Sequence, residues 1–174
     1  MKQPRVFTII FTAIIVIAAV VIQPVYSQTT ESWADKELII TPRSSFGAAV
    51  AYDKIYVIGG SGTDVNEEYN PVINQWITKK PMPTPRYGFA VAVFQNKIYV
   101  MGGETPDRQA SAVNEVYDPL TDSWETKTPI PTARRDFEAN TVNDKIYATG
   151  GIRFEGNTST ILDVNEVYDP ITDN

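Results

Sequence analysis

A chain of 174 residues with 43% hydrophobic and 21% charged side chains has the composition of an ordinary folded protein, with room for one sizeable core. Its formal charge is −6, and beyond residue 27 thirteen basic residues face 21 acidic ones, which excludes the basic face that nucleic-acid phosphates demand. The absence of Cys and His excludes disulfides and thiolate sites and removes the commonest general base and metal ligand, so the sequence implies no cofactor and no metal.

Lys2 and Arg5 precede an apolar run over residues 6–22, then Pro24 and Val25-Tyr26-Ser27. A basic start, an apolar helix and small residues at a cleavage position make residues 1–27 a signal peptide cut after Ser27, or an N-terminal membrane anchor. Either device exports residues 28–174 to the cell surface or beyond, with membrane contact confined to residues 6–22 if the segment stays uncleaved.

The exported part is one unit repeated three times, about 43–85, 86–133 and 134–174. Arg43, Arg86 and Arg134 open the units, with steps of 43 and 48 residues, and Phe46, Phe89 and Phe137 follow three residues later. Then come Lys54-Ile55-Tyr56, Lys97-Ile98-Tyr99 and Lys145-Ile146-Tyr147, and the pairs Gly59-Gly60, Gly102-Gly103 and Gly150-Gly151. Each unit continues with Asn-Glu-x-Tyr-Asn/Asp-Pro, the tyrosines being Tyr69, Tyr117 and Tyr168, and Trp76 and Trp124 stand seven residues past the first two. Between the glycine pair and the Asn-Glu pair lie five, ten and thirteen residues, so this segment behaves as a loop. Short β-branched and aromatic runs, as in 89–94 and 97–101 around the turn pair Gln95-Asn96, read as strands covered on both faces.

The Tyr-Val-Ile/Met-Gly-Gly block, Asn-Glu-Val-Tyr-Asp-Pro and the spaced Trp resemble Kelch repeats. The resemblance implies an all-β, Kelch-type β-propeller segment: three four-stranded antiparallel blades, the last without its own outer strand, behind the hydrophobic N-terminal helix. Trp33 stands ten residues before Arg43, as Trp76 stands before Arg86, so residues 33–42 are expected to be an orphan outer strand. In the family such a strand completes the last blade. Three blades suit the N-terminal part of a longer propeller, or a homodimer that closes a six-bladed ring. Relatives bind protein or glycan partners through blade-rim loops. The alternative is a galactose-oxidase-like or sialic-acid-epimerase-like enzyme whose catalytic residues lie outside this segment, because the segment offers none of its own.

The recurring glycines, arginines, tyrosines and Trp33, Trp76 and Trp124 read as scaffold: glycines end strands, arginines tie adjacent blades, and aromatic rings pack. Where units one and two have small residues, unit three has Asp136, Glu138 and Asn140, which alternate and so are expected on one face of one strand beside Arg134, as a channel lining or a polar ligand site. The residues after each Arg (Ser44, Tyr87, Arg135) and after each glycine pair (Ser61, Glu104, Arg153) vary between units, as a ligand-facing rim would. Loop 152–163 also carries Asn157-Thr158-Ser159, a glycosylation acceptor.

Overall fold

In the computed structural model of the chain, residues 33–155 and 158–174 are described. The apolar run and the Asn157 acceptor lie outside them, and among the described residues no helix is long and apolar enough to cross a membrane. Asp35–Asn174 form one compact unit. All the strands described below belong to it.

Blade one is the antiparallel sheet β1 (Gly47–Ala51), β2 (Lys54–Ile58), β3 (Asn66–Asn70) and β4 (Gln75–Lys79), in that order. Blade two repeats it with β5 (Ala90–Phe94), β6 (Lys97–Met101), β7 (Asn114–Asp118) and β8 (Ser123–Lys127). Blade three has β9 (Glu138–Val142), β10 (Lys145–Thr149) and β13 (Asn165–Tyr168), with β10 in the middle. Between β10 and β13 the expected loop is a second hairpin, β11 (Ile152–Glu155) with β12 (Thr158–Ile161).

Each inner hairpin closes through two residues of positive φ: Tyr52-Asp53, Gln95-Asn96 and Asn143-Asp144. That is the turn whose twist matches the twist of the flanking strands. The core lies between blades. Alternate residues of β1, Ala49 and Ala51, pack with Tyr56 and Ile58 against Phe89, Ile98 and Val100 of blade two. Ala90, Ala92 and Met101 pack in the same way on Phe137, Ala139 and Ile146 of blade three. Small residues are required here: a Cβ on Gly47 would meet Val91 Cγ2 at 2.3 Å.

Residues 33–42 form no strand. A strand needs a ladder partner, and this segment meets side chains instead: the Glu37 amide donates to Asn74 Oδ1 (3.0 Å), and Trp76 Nε1 donates to the Glu37 carbonyl (2.9 Å). Trp33 itself is fully exposed, at 105%.

The candidate binding rim

The three opening arginines fold inward. Arg86 Nη2 donates to Glu115 at 2.7 Å, and its other donors reach the buried Gly102 carbonyl and the part-buried carbonyls of Thr84 and Val113. Arg43 pairs with Glu67 at 2.7 Å and Arg134 with Glu166 at 2.5 Å. Burial pulls the Arg86 guanidinium below its usual range, and Glu115 opposes that shift. These pairs fasten each blade to itself. Between blades the backbone itself is bonded: the Gly60 amide donates to the Arg86 carbonyl (3.1 Å) and the Gly103 amide to the Arg134 carbonyl (2.8 Å).

The glycine pairs follow from the same crowding. A Cβ on Gly102 would lie 2.6 Å from the Phe137 ring of the next blade, and one on Gly103 would lie 2.9 Å from Cβ of Phe89 in its own. Both glycines also have positive φ, 65° and 95°.

At the opposite end of each blade a clasp recurs that the sequence reading did not single out. Asn74, Asp122 and Asp173, each at positive φ, accept the hydroxyl protons of Tyr69, Tyr117 and Tyr168 at 2.7, 2.6 and 2.6 Å. The same carboxylate oxygens of Asp122 and Asp173 accept the amides of Lys80 and Thr128, both at 2.9 Å. Trp124 Nε1 donates to the Lys80 carbonyl (2.9 Å) as Trp76 does to Glu37. The signal was present as an Asn or Asp five residues after each repeat tyrosine.

The expected polar row is split. Asp136 precedes β9 at φ 53°, in register with Ser45 (55°) and Gly88 (61°), and its amide donates to the Gly88 carbonyl (2.7 Å). Glu138 and Asn140 sit on β9 on the face whose counterparts in blades one and two pack on the following blade, and both are exposed. Arg134 is buried within blade three, so these residues do not share one surface with it.

The variable residues after Arg and glycine, in contrast, are brought together at one end. Ser44 and Ser61 join through Ser61 N to Ser44 O (2.9 Å) and Ser44 N to Ser61 Oγ (3.1 Å). Tyr87 and Glu104 exchange both backbone bonds, at 3.1 and 2.9 Å. In blade three Arg135 exchanges them with Ile152, at 3.1 and 2.8 Å, so Ile152 rather than Arg153 completes the pair. Arg153 is one residue further along, opposite Thr160 in the β11–β12 hairpin, and exposed.

Across blades two and three the side chains connect. Tyr87 donates its hydroxyl to Glu104 Oε1, and Arg135 Nε lies 3.0 Å from Glu104 Oε2 and 3.5 Å from Asp136 Oδ2. The Arg135 guanidinium lies over the Phe154 ring of β11, 4.5 Å from its centroid. Donation to Glu104 raises the Tyr87 hydroxyl above its ordinary value, burial adds to this, and the charges of Arg135 and Arg108 oppose it. Ser45, Ser61, Gly62, Tyr87 and Pro106 line an open hollow of about 420 Å³ alongside. Among the described residues no group of three or more carboxylates could hold a metal ion.

Residues 42–83, 85–131 and 133–174 each match the Kelch motif. The chain belongs to the Kelch-repeat family. Its blades are Kelch blades, β-propeller units that commonly mediate protein interaction. No curated protein matches the chain. Among solved structures, that of YjhT is similar, with a TM-score of 0.68 and 19% identity over 77% of this chain and 50% of that one. This likeness is one of fold, and the Kelch repeats here match about half the length of that structure.

Proposed function

We propose that the chain is an exported interaction module that binds a protein or glycan partner across the glycine-pair rim. One observation carries this reading. A two-residue bridge closes the same end of every blade, by two backbone bonds in blades two and three and by one backbone bond and the Ser61 hydroxyl in blade one, and it presents Ser44 and Ser61, then Tyr87 and Glu104, then Arg135 and Ile152. A recurring frame that varies in what it displays is how a scaffold builds a recognition surface. All the length variation of the repeat, five, ten and thirteen residues, is inserted at this end as well. Export is supported by Lys2 and Arg5 ahead of the apolar run, and N-terminal sequencing of the protein from cell-surface and culture fractions tests it.

The rim is tested by probing peptide and glycan arrays with the wild-type chain, a Tyr87→Ala/Arg135→Ala variant and a Leu120→Ala variant. Leu120 lies in the β7–β8 turn at the opposite end of blade two and is 73% exposed. Array signals lost by the rim variant and kept by Leu120→Ala are expected, with equal urea midpoints showing that all three fold. Signals kept by the rim variant contradict the reading.

A further inference from the structure

Blade three differs from the other two at its outer edge. In blades one and two an outer strand, β4 or β8, pairs with β3 or β7, whereas β13 has β10 on one side and, among the described residues, no strand on the other. A groove of about 400 Å³ runs along that free edge, lined in part by Pro129, Ile130, Ile146, Val167 and Tyr168. The corresponding place in blade two holds Trp124, whose ring lies 5.0 Å from that of Tyr117 and whose Nε1 donates to the Lys80 carbonyl (2.9 Å). Blade three has both of these partners. Tyr168 stands where Tyr117 does, and Thr128 stands where Lys80 does, because the Thr128 amide donates to Asp173 as the Lys80 amide donates to Asp122. The Thr128 carbonyl accepts Asn114 Nδ2 (3.1 Å) and, among the described residues, no indole.

Trp33-Ala34-Asp35-Lys36 repeats the Trp-x-x-Lys of β4 and β8 yet forms no strand. Glu37, the next residue, is seated on blade one as Lys80 is on blade two: its amide donates to Asn74 Oδ1 and its carbonyl accepts Trp76 Nε1. Four residues back from Glu37 span at most about 14 Å. Blade two stands between blades one and three, and no strand of blade one touches a strand of blade three. Two steps between packed sheets are about 20 Å, so the segment is too short to reach the groove of its own chain.

We propose that the groove beside β13 is a docking site for Trp33–Lys36 of a second copy of this chain, added as the antiparallel outer strand of blade three. The register of β3 with β4 and of β7 with β8 then sets Trp33 opposite Tyr168 and Ala34 opposite Val167. Exchange in both directions lays blade three of each copy against blade one of the other. Val50 and Ile55, exposed on blade one, are the counterparts of Val93 and Ile98, which pack between blades. Val142 and Val167, exposed on blade three, are the counterparts of Phe94 and Val116, which do the same. Two copies thereby close six blades with two-fold symmetry and leave neither β13 edge unpaired.

The sequence has no cysteine, so introduced thiols report the pairing directly. An Ala34→Cys chain and a Val167→Cys chain are unfolded in urea, refolded together and oxidised. A disulfide joining one chain of each kind is expected on a non-reducing gel, with little from either chain refolded alone, and light scattering of the wild-type chain should give twice the monomer mass. Trp33 is fully exposed within its own chain, so adding Trp33→Ala to the first variant leaves the blades intact. It should lower the cross-linked yield about tenfold, as loss of one buried ring allows. No cross-link, whatever the mass, overturns the proposal, because the groove then stays open or another segment fills it. A chain carrying both cysteines that closes the disulfide within itself overturns it by placing the segment in its own blade three. A cross-link that survives Trp33→Ala reports association that does not seat the indole in the groove, and it overturns the proposal too.

Discussion

The hydroxyl of Tyr117 donates to Asp122 Oδ1 at 2.6 Å, and the same oxygen accepts the Lys80 amide from the segment that leaves blade one. One carboxylate thus ties the outer turn of blade two to the chain entering that blade. Burial alone would raise the Asp122 carboxyl, but the Tyr117 hydroxyl, the Lys80 amide and neighbouring lysines together hold it below its ordinary value. Asp173 is held low chiefly by Tyr168, then by the Thr128 amide.

A lowered folded-state pKa contributes stability above the unfolded value of 3.8 and loses it as pH falls through the folded value. Blade one performs the same task with the neutral Asn74. The variant Asp122→Asn/Asp173→Asn, which keeps the acceptor oxygens but not their charge, is therefore expected to unfold at a somewhat lower urea midpoint than wild type at neutral pH. From roughly pH 4 down to pH 2 it should lose stability less steeply than wild type. Urea titrations across that range check this, and parallel slopes would count against the clasp.

The buried Arg86–Glu115 pair predicts an asymmetric cost. Glu115→Gln leaves a buried guanidinium without its counter-charge and should lower stability by about 3 kcal/mol. Glu166→Gln should cost less, because the Glu166 side chain is 17% exposed against 3% for Glu115, so the charge it removes is already partly screened by water. Replacing both partners, Arg86→Met with Glu115→Leu, should recover much of the loss in equilibrium unfolding.

The glycines separate two penalties. Gly62→Ala meets only Pro106, at 3.7 Å, and is strained only through its φ of 73°, so it should cost roughly 1 kcal/mol. Gly102→Ala adds a 2.6 Å clash with Phe137 and a 2.8 Å clash with the Arg134 carbonyl. It should cost at least roughly twice as much, with a lower thermal midpoint.

Strands, inner turns and glycine pairs were legible because each rests on local chemistry: β-branched runs, Gln95-Asn96 at positive φ, a Cβ that has no room. The expected polar row breaks at Asp136 because period-2 alternation holds only within a strand, and β9 begins at Glu138. Gly88 in the equivalent place was the signal that a positive φ is needed there. The hairpin β11–β12 was also in reach, since Ile152-Arg153-Phe154 and Thr158–Ile161 flank a Gly-Asn pair. The contact of Arg135 with Phe154 was not, because it depends on how that hairpin lies against the rim.

The claim that partners bind across the glycine-pair rim is tested most directly by site-specific photo-cross-linking. A benzoylphenylalanine placed at Tyr87 and, separately, at Leu120 is irradiated with the tightest ligand from the arrays. Cross-linking from position 87 and none from position 120 is the predicted result. Cross-linking from position 120 alone would place the binding surface at the turn end and contradict the account.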